Sequence, residues 1–122
     1  MKFTEGYWLR SEKANILYAS QAYEVQEIPG GMRVLAPVGT ISSRGATLNM
    51  PTITLEFTSP VENMISVRSW HHEGYDKKEP VCPKHPQMQE VSVEIGEEEA
   101  VMKAGKVSVH VSLKEWGYYF EA

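Results

Sequence analysis

Residues 106–113 constrain the fold more than any other stretch. In them Val107, Val109, Val111 and Leu113 alternate strictly with Ser108, His110 and Ser112. A period of two puts the apolar side chains on one face of a strand and the polar ones on the other, whereas a helix would scatter them around its axis. The same alternation recurs in Ile53, Leu55 and Phe57, in Ile65 and Val67, and in Val91, Val93 and Ile95, with β-branched residues concentrated in these runs. No stretch offers an apolar stripe at helical spacing bounded by caps; the best exception is a short turn around residues 11–15.

Turn residues divide the strands. Pro29-Gly30-Gly31 separates residues 23–28 from 32–36, and Ala104-Gly105-Lys106 separates residues 100–103 from the strand that starts at Val107. Further breaks fall at Pro37, Gly39, Ser59-Pro60 and Gly96. About eight or nine short strands, each with one apolar face and no crossover helices between them, predict two packed antiparallel sheets, that is, an all-β sandwich. At 122 residues the chain is expected to form a single domain, 1–122. It is too short for a (β/α)₈ barrel, which typically takes about 250 residues.

Charge and cysteine content narrow the partners. Twelve Lys and Arg against sixteen Asp and Glu leave a net charge of −4, so the basic field on which nucleic-acid binding rests is missing. Cys82 is the single cysteine, which excludes an intramolecular disulfide and fits a cytoplasmic setting. The opening Met1-Lys2-Phe3-Thr4-Glu5-Gly6 puts a glutamate where a signal peptide needs its apolar run, and no apolar window is long enough to span a bilayer. Neither membrane nor nucleic acid is therefore expected as a partner. Gly30-Gly31 lies in a hairpin and not ahead of a helix, so no phosphate-binding loop is present and no cofactor is expected.

Three constellations could carry chemistry. His71-His72 with Cys82-Pro83-Lys84-His85 offers ligand types that zinc prefers, and His72, Cys82 and His85 form a weak candidate set. Adjacent histidines on a strand point to opposite faces, however, and a lone Cys-x₂-His lacks a second knuckle, so no metal site is assigned; a proline-stiffened surface loop over residues 73–87 accounts for the same residues. Glu97-Glu98-Glu99 reads as a solvated acidic turn, because consecutive carboxylates do not face each other across a cleft as glycoside hydrolysis requires. Asp76 is the single aspartate and no Gly-x-Ser-x-Gly elbow exists, so no catalytic residue is assigned.

Aromatic residues are the third constellation. Trp8, Trp70, Trp116 and the run Tyr118-Tyr119-Phe120 could stack sugars, or could pack in a core or interface. Trp70, His71, Trp116, Tyr118 and Phe120 are accordingly the candidates for an interdomain or sugar contact. The apolar C-terminal run looks as though it should continue into more protein.

The order and spacing of several motifs carry a resemblance. The opening Met1-Lys2-Phe3-Thr4-Glu5-Gly6-Tyr7-Trp8-Leu9, the triplet Tyr23-Glu24-Val25, the run Pro51-Thr52-Ile53-Thr54-Leu55-Glu56-Phe57-Thr58-Ser59-Pro60, the pattern Val67-Arg68-x-x-His71-x-x-Gly74 and the strand Gly105-Lys106-Val107-Ser108-Val109-His110-Val111-Ser112 follow one another. In this the chain resembles the N-terminal domain of glycoside hydrolase family 31 enzymes, nearest the bacterial α-xylosidase and α-glucosidase branch. The loop over residues 75–86 departs most from that pattern. The resemblance implies a galactose-mutarotase-like β-sandwich ahead of a catalytic barrel whose nucleophile and acid/base are aspartates. It also implies a parent that hydrolyses α-linked xylose or glucose with retention, and a non-catalytic role for these residues in packing on the barrel, shaping the active-site rim or supporting a homo-oligomer. The alternative reading is a free-standing carbohydrate-binding module with an aromatic stacking platform.

Overall fold

The computed structural model describes residues 16–72 and 89–122. Trp8, the turn expected at residues 11–15, Cys82, His85 and the whole loop at residues 73–87 lie outside the described residues. Eight strands form two antiparallel sheets: β1 (Glu24–Ile28), β2 (Gly31–Pro37), β3 (Thr52–Thr58) and β4 (Ser66–Trp70) in the first, and β5 (Ser92–Ile95), β6 (Glu99–Ala104), β7 (Val107–Ser112) and β8 (Gly117–Glu121) in the second. Each sheet is a meander in which neighbours in sequence are neighbours in space. The one helical element among the described residues is a 3₁₀ turn at Arg44–Thr47 in the long β2–β3 connection, which the sequence pattern did not signal. The chain is thus the β-sandwich that the alternation predicts.

Register explains why the two sheets close on each other. Met32 lies opposite Phe57, Val34 opposite Leu55 and Ala36 opposite Ile53, so the apolar set of β2 and that of β3 share one face. In the second sheet Ala100 lies opposite Val111, Met102 opposite Val109 and Ala104 opposite Val107. These two faces meet in a core where Met32, Val34, Phe57, Met102, Val109 and Val111 are fully buried. Because the side-chain period is two, a one-residue slip in either sheet would turn the whole set outward, and the buried faces therefore fix the pairing.

Two turn expectations are refined. Gly31 does not belong to the β1–β2 turn but opens β2, opposite Ile28 and Thr58. The turn is Pro29-Gly30 alone, with Gly30 at φ 72°, the proline-then-glycine arrangement that a type II turn demands. Glu99 likewise leaves the acidic turn expected at residues 97–99 and opens β6, because its pairing with Ser112 continues the β6–β7 ladder.

A polar clip joins the sheets at one end. Asn63, at φ 60° between β3 and β4, accepts a hydrogen bond through Oδ1 from the Lys106 backbone N–H at 2.7 Å, reaching the β6–β7 turn of the other sheet. That turn leaves no room for a side chain at Gly105, where a Cβ would come within 2.3 Å of Asn63 Oδ1. Asn63→Ala loses the bond and puts alanine, which tolerates the left-handed conformation less well than asparagine, at φ 60°, for an expected cost of about 2 kcal/mol in urea unfolding. Asn63→Gly, which tolerates that conformation, is expected to cost about 1 kcal/mol. Equal costs for the two variants would show that the strained backbone plays no part.

Candidate functional site

The aromatic candidates divide between two surfaces. Trp70 pairs with Thr54, which puts it on the outer face of the first sheet, away from Leu55 and Phe57. There the Arg68 guanidinium lies 4.7 Å from the Trp70 ring centroid. Arg68 pairs in turn with Glu56, and Glu56 Oε1 accepts hydrogen bonds from Arg33 Nε at 2.9 Å and Nη2 at 2.6 Å. The outcome is a polar row, Arg33–Glu56–Arg68–Trp70, across three strands. His71 follows at the strand end, exposed, with Nδ1 3.3 Å from the Thr52 carbonyl oxygen. His72 is exposed beside it.

Trp116, Tyr118 and Phe120 belong to the second sheet and to its other side. Tyr118 pairs with Val111 and Phe120 with Val109, so both rings point along the inner face. They form a row of edge-to-face contacts: Trp116 to Tyr118 at 6.3 Å, Tyr118 to Phe120 at 5.9 Å, and Tyr118 to the buried Phe57 at 5.3 Å. Yet Tyr118 and Phe120 remain 41% and 51% exposed. Beside Phe120 lies a 390 Å³ groove lined by Asn63, Met64, Ile65, Val107, Phe120 and Glu121. Trp70 and His71 therefore do not join Trp116, Tyr118 and Phe120 in one platform.

A cluster that sequence reasoning missed lies on the outer face of the second sheet. His110 on β7 stands between Glu99 of β6 and Glu121 of β8, with Nδ1 3.2 Å from Glu99 Oε1 and Nε2 3.4 Å from Glu121 Oε2. Nε2 also lies 3.1 Å from Ser108 Oγ. Nδ1 is buried and lacks the alignment of a hydrogen bond to the nearby carboxylate. The Tyr119 ring stacks on the imidazole at 4.7 Å and 11°, and its hydroxyl donates to Glu99 Oε1 at 3.2 Å. The arrangement locks three strands together and offers no cleft for a substrate. Glu98 pairs with Lys114 at the adjacent turn. Another depression among the described residues, 710 Å³ and lined by residues 27–30 with Gln89, Glu90 and Val91, brings no set of reactive side chains together.

This cluster has a measurable signature. Partial desolvation, then the Glu99 carboxylate and its hydrogen bond, then Glu121, push the Tyr119 phenol above its ordinary 10.0. Since folding raises this value, the contribution to stability is present below the unfolded pKa and is lost as pH climbs through the folded one. Ultraviolet titration of the phenols is expected to show one late-ionising tyrosine that moves down in Glu99→Gln; an unchanged titration in that variant would separate Tyr119 from Glu99.

Among the described residues no three His, Cys, Asp or Glu side chains converge as a metal site. Likewise, no helix among them is long and apolar enough to cross a membrane. The fold and these faces define a two-sheet antiparallel β-sandwich, with one polar outer row on each sheet and one open apolar margin.

No protein-family profile matches the chain. It is, however, 34% identical over 114 residues to the α-xylosidase XylQ of Lactiplantibacillus pentosus, an alignment that takes in 93% of this chain and 15% of that enzyme. The resemblance to glycoside hydrolase family 31 carried by the motifs is thereby shown, and the chain aligns with a small part of a longer enzyme. It spans about 15% of the length of this curated relative.

Proposed function

We propose that this chain is the non-catalytic N-terminal β-sandwich domain, 1–122, of an α-xylosidase-type glycosidase, of the galactose-mutarotase-like kind, and that it packs on the catalytic barrel and helps shape the active-site rim. The observation that carries this reading is the pairing of 93% coverage of this chain with 15% coverage of the α-xylosidase. The single cysteine accords with a cytoplasmic parent. Partly buried Trp116 with the exposed Tyr118 and Phe120 are the residues we assign to an interdomain contact.

The experiment is a segment exchange. This chain replaces the matching segment of the Lactiplantibacillus pentosus enzyme, and hydrolysis of 4-nitrophenyl α-xyloside is followed beside that of the enzyme lacking the segment. Activity in the exchange protein, none in the deletion and none in the isolated 122-residue chain is expected. Turnover by the isolated chain, or an exchange protein that folds but is as inactive as the deletion, would overturn the reading.

The row Arg33–Glu56–Arg68–Trp70 favours a second reading, a sugar-binding face on the first sheet. Calorimetric titration with isoprimeverose and maltose decides it. Heat that vanishes in Trp70→Ala supports a binding module, and silence removes it.

A further inference from the structure

We infer that the β2–β3 loop, residues 38–51, is a docking knob whose Leu48 seats in an apolar pocket on the catalytic part of the parent enzyme. This rests on the reading of the chain as a domain of a longer glycosidase, and it adds a contact on a different element from Trp116, Tyr118 and Phe120. Leu48 is 77% exposed, the most exposed large hydrophobic side chain among the described residues. Single apolar side chains on a surface are ordinary. What sets Leu48 apart is a backbone that holds it outward.

The loop is tied at its neck, where the Val38 N–H donates to the Pro51 carbonyl oxygen at 3.0 Å, and beside it, where the Ile41 N–H donates to Gln21 Oε1 at 2.9 Å. Met50 packs over Gly39, so closely that a Cβ there would meet its Cε at 2.8 Å. At the tip the 3₁₀ turn fixes the residues that lead into Leu48. The Ala46 N–H donates to the Ser43 carbonyl at 3.0 Å, the Leu48 N–H to the Gly45 carbonyl at 3.3 Å, and the Thr47 hydroxyl to the Arg44 carbonyl at 2.8 Å. Asn49 then takes a left-handed φ of 55°, a turn conformation that asparagine adopts with little strain. Loops with close ends and their own internal bonds are compact surface modules that commonly carry function. A leucine presented by such a loop needs little further ordering to dock, and it gains the full transfer of its side chain out of water.

The occupant follows from length and place. The alignment takes in 15% of the α-xylosidase, so most of that enzyme's length is available to cover the loop. The loop rejoins the first sheet at Thr52, whose carbonyl oxygen lies 3.3 Å from His71 Nδ1, and Thr54 beyond it pairs with Trp70. The two candidates for an interdomain contact on this sheet therefore stand at the end from which the loop projects. Arg44 is the one charged residue of 38–51 and is exposed, which calls for a carboxylate at the rim of the pocket.

Hydroxyl-radical footprinting read by peptide mass spectrometry tests it, on the 122-residue chain and on the protein in which that chain replaces the matching segment of the Lactiplantibacillus pentosus enzyme. Leu48 is expected to be labelled freely in the chain alone and several-fold less in the exchange protein. Leu48→Asp is expected to leave the urea midpoint of the chain alone unchanged, because the side chain is exposed there, and to lower the thermal inactivation temperature of the exchange protein. Leu48→Met, which keeps the apolar volume, is expected to behave as the original. Equal labelling in the two, or an exchange protein indifferent to Leu48→Asp, overturns the docking surface, and if that protein is active the glycosidase reading stands. Protection of Leu48 in an exchange protein that folds without activity does the reverse, upholding the surface while that reading falls. Protection that appears in the chain alone as its concentration rises assigns the knob to a second copy and overturns the proposal.

Discussion

Phe57→Ala is expected to destabilise the domain by about 3–5 kcal/mol, the range for emptying a fully packed aromatic site. Phe57 is fully buried on β3, lies between Met32 of β2 and Val67 of β4 in the same sheet, and receives the edge of Tyr118 from the opposite sheet at 5.3 Å. It is thus the residue at which the first sheet meets the open margin of the second. Removing its ring empties volume on both sides, and the rigid ladders of β2 and β3 limit how far the site can collapse. Since whole domains are stable by only about 5–15 kcal/mol, the loss takes a large part of the total. Urea unfolding is the measurement, with the midpoint lowered and the slope unchanged. Phe57→Leu keeps most of the volume and is expected to cost less than half as much. A loss below about 1 kcal/mol for the alanine variant would mean that the two sheets do not depend on this contact.

Much of this core is legible in the sequence. β7 alternates without a fault, and β3 places Ile53, Leu55 and Phe57 on one face, so both the strands and their buried sides follow from a period of two. β8 is less readable because Tyr118, Tyr119 and Phe120 are all aromatic: alternation disappears when one face contributes to the interior and the other stacks on His110. The 3₁₀ turn at Arg44–Thr47 has no buried residue and hence no periodic signature.

The candidate site was legible only in its parts. Trp70 and Trp116 are visible as aromatics, but their separation onto different sheets depends on strand pairing, which no local pattern carries. The His110 cluster is a stronger case. Glu99, His110, Tyr119 and Glu121 come from three strands and converge because Val101 pairs with His110 and His110 with Tyr119. Once the β6–β7–β8 meander is assumed, counting outward from the Gly105 turn does place these residues on one face; that register was the available signal. The Asn63 clip lacks even this, since it spans two sheets and is held by one hydrogen bond over 43 residues of chain.

Gly31→Ala is the second large effect expected, about 3 kcal/mol or more, from a single added methyl group. A Cβ on Gly31 would fall 1.9 Å from the Phe57 carbonyl oxygen and 3.0 Å from the Thr58 Cα, all of it backbone of the neighbouring strand. No side-chain rotamer can relieve such a clash, so β2 must draw away from β3 at the point where the ladder begins. The Ser59 N–H to Gly30 carbonyl bond, 3.1 Å long and adjacent to the contact, is then stretched or lost. Two other glycines calibrate the effect. Gly30, at φ 72°, is expected to cost about 1–2 kcal/mol as alanine through backbone strain alone. Gly45 is exposed, and a Cβ there meets only Ser43 Oγ at 4.0 Å, so its alanine variant should stay within about 0.5 kcal/mol of the original chain. The order Gly31, Gly30, Gly45 in urea midpoints therefore measures steric exclusion, conformational strain and neither, in that sequence. A Gly31→Ala variant as mild as Gly45→Ala would show that β2 and β3 are not as close at this end as the register requires. The same variant would also move Phe57, whose carbonyl receives the clash, and so weaken the packing that the first substitution tests directly.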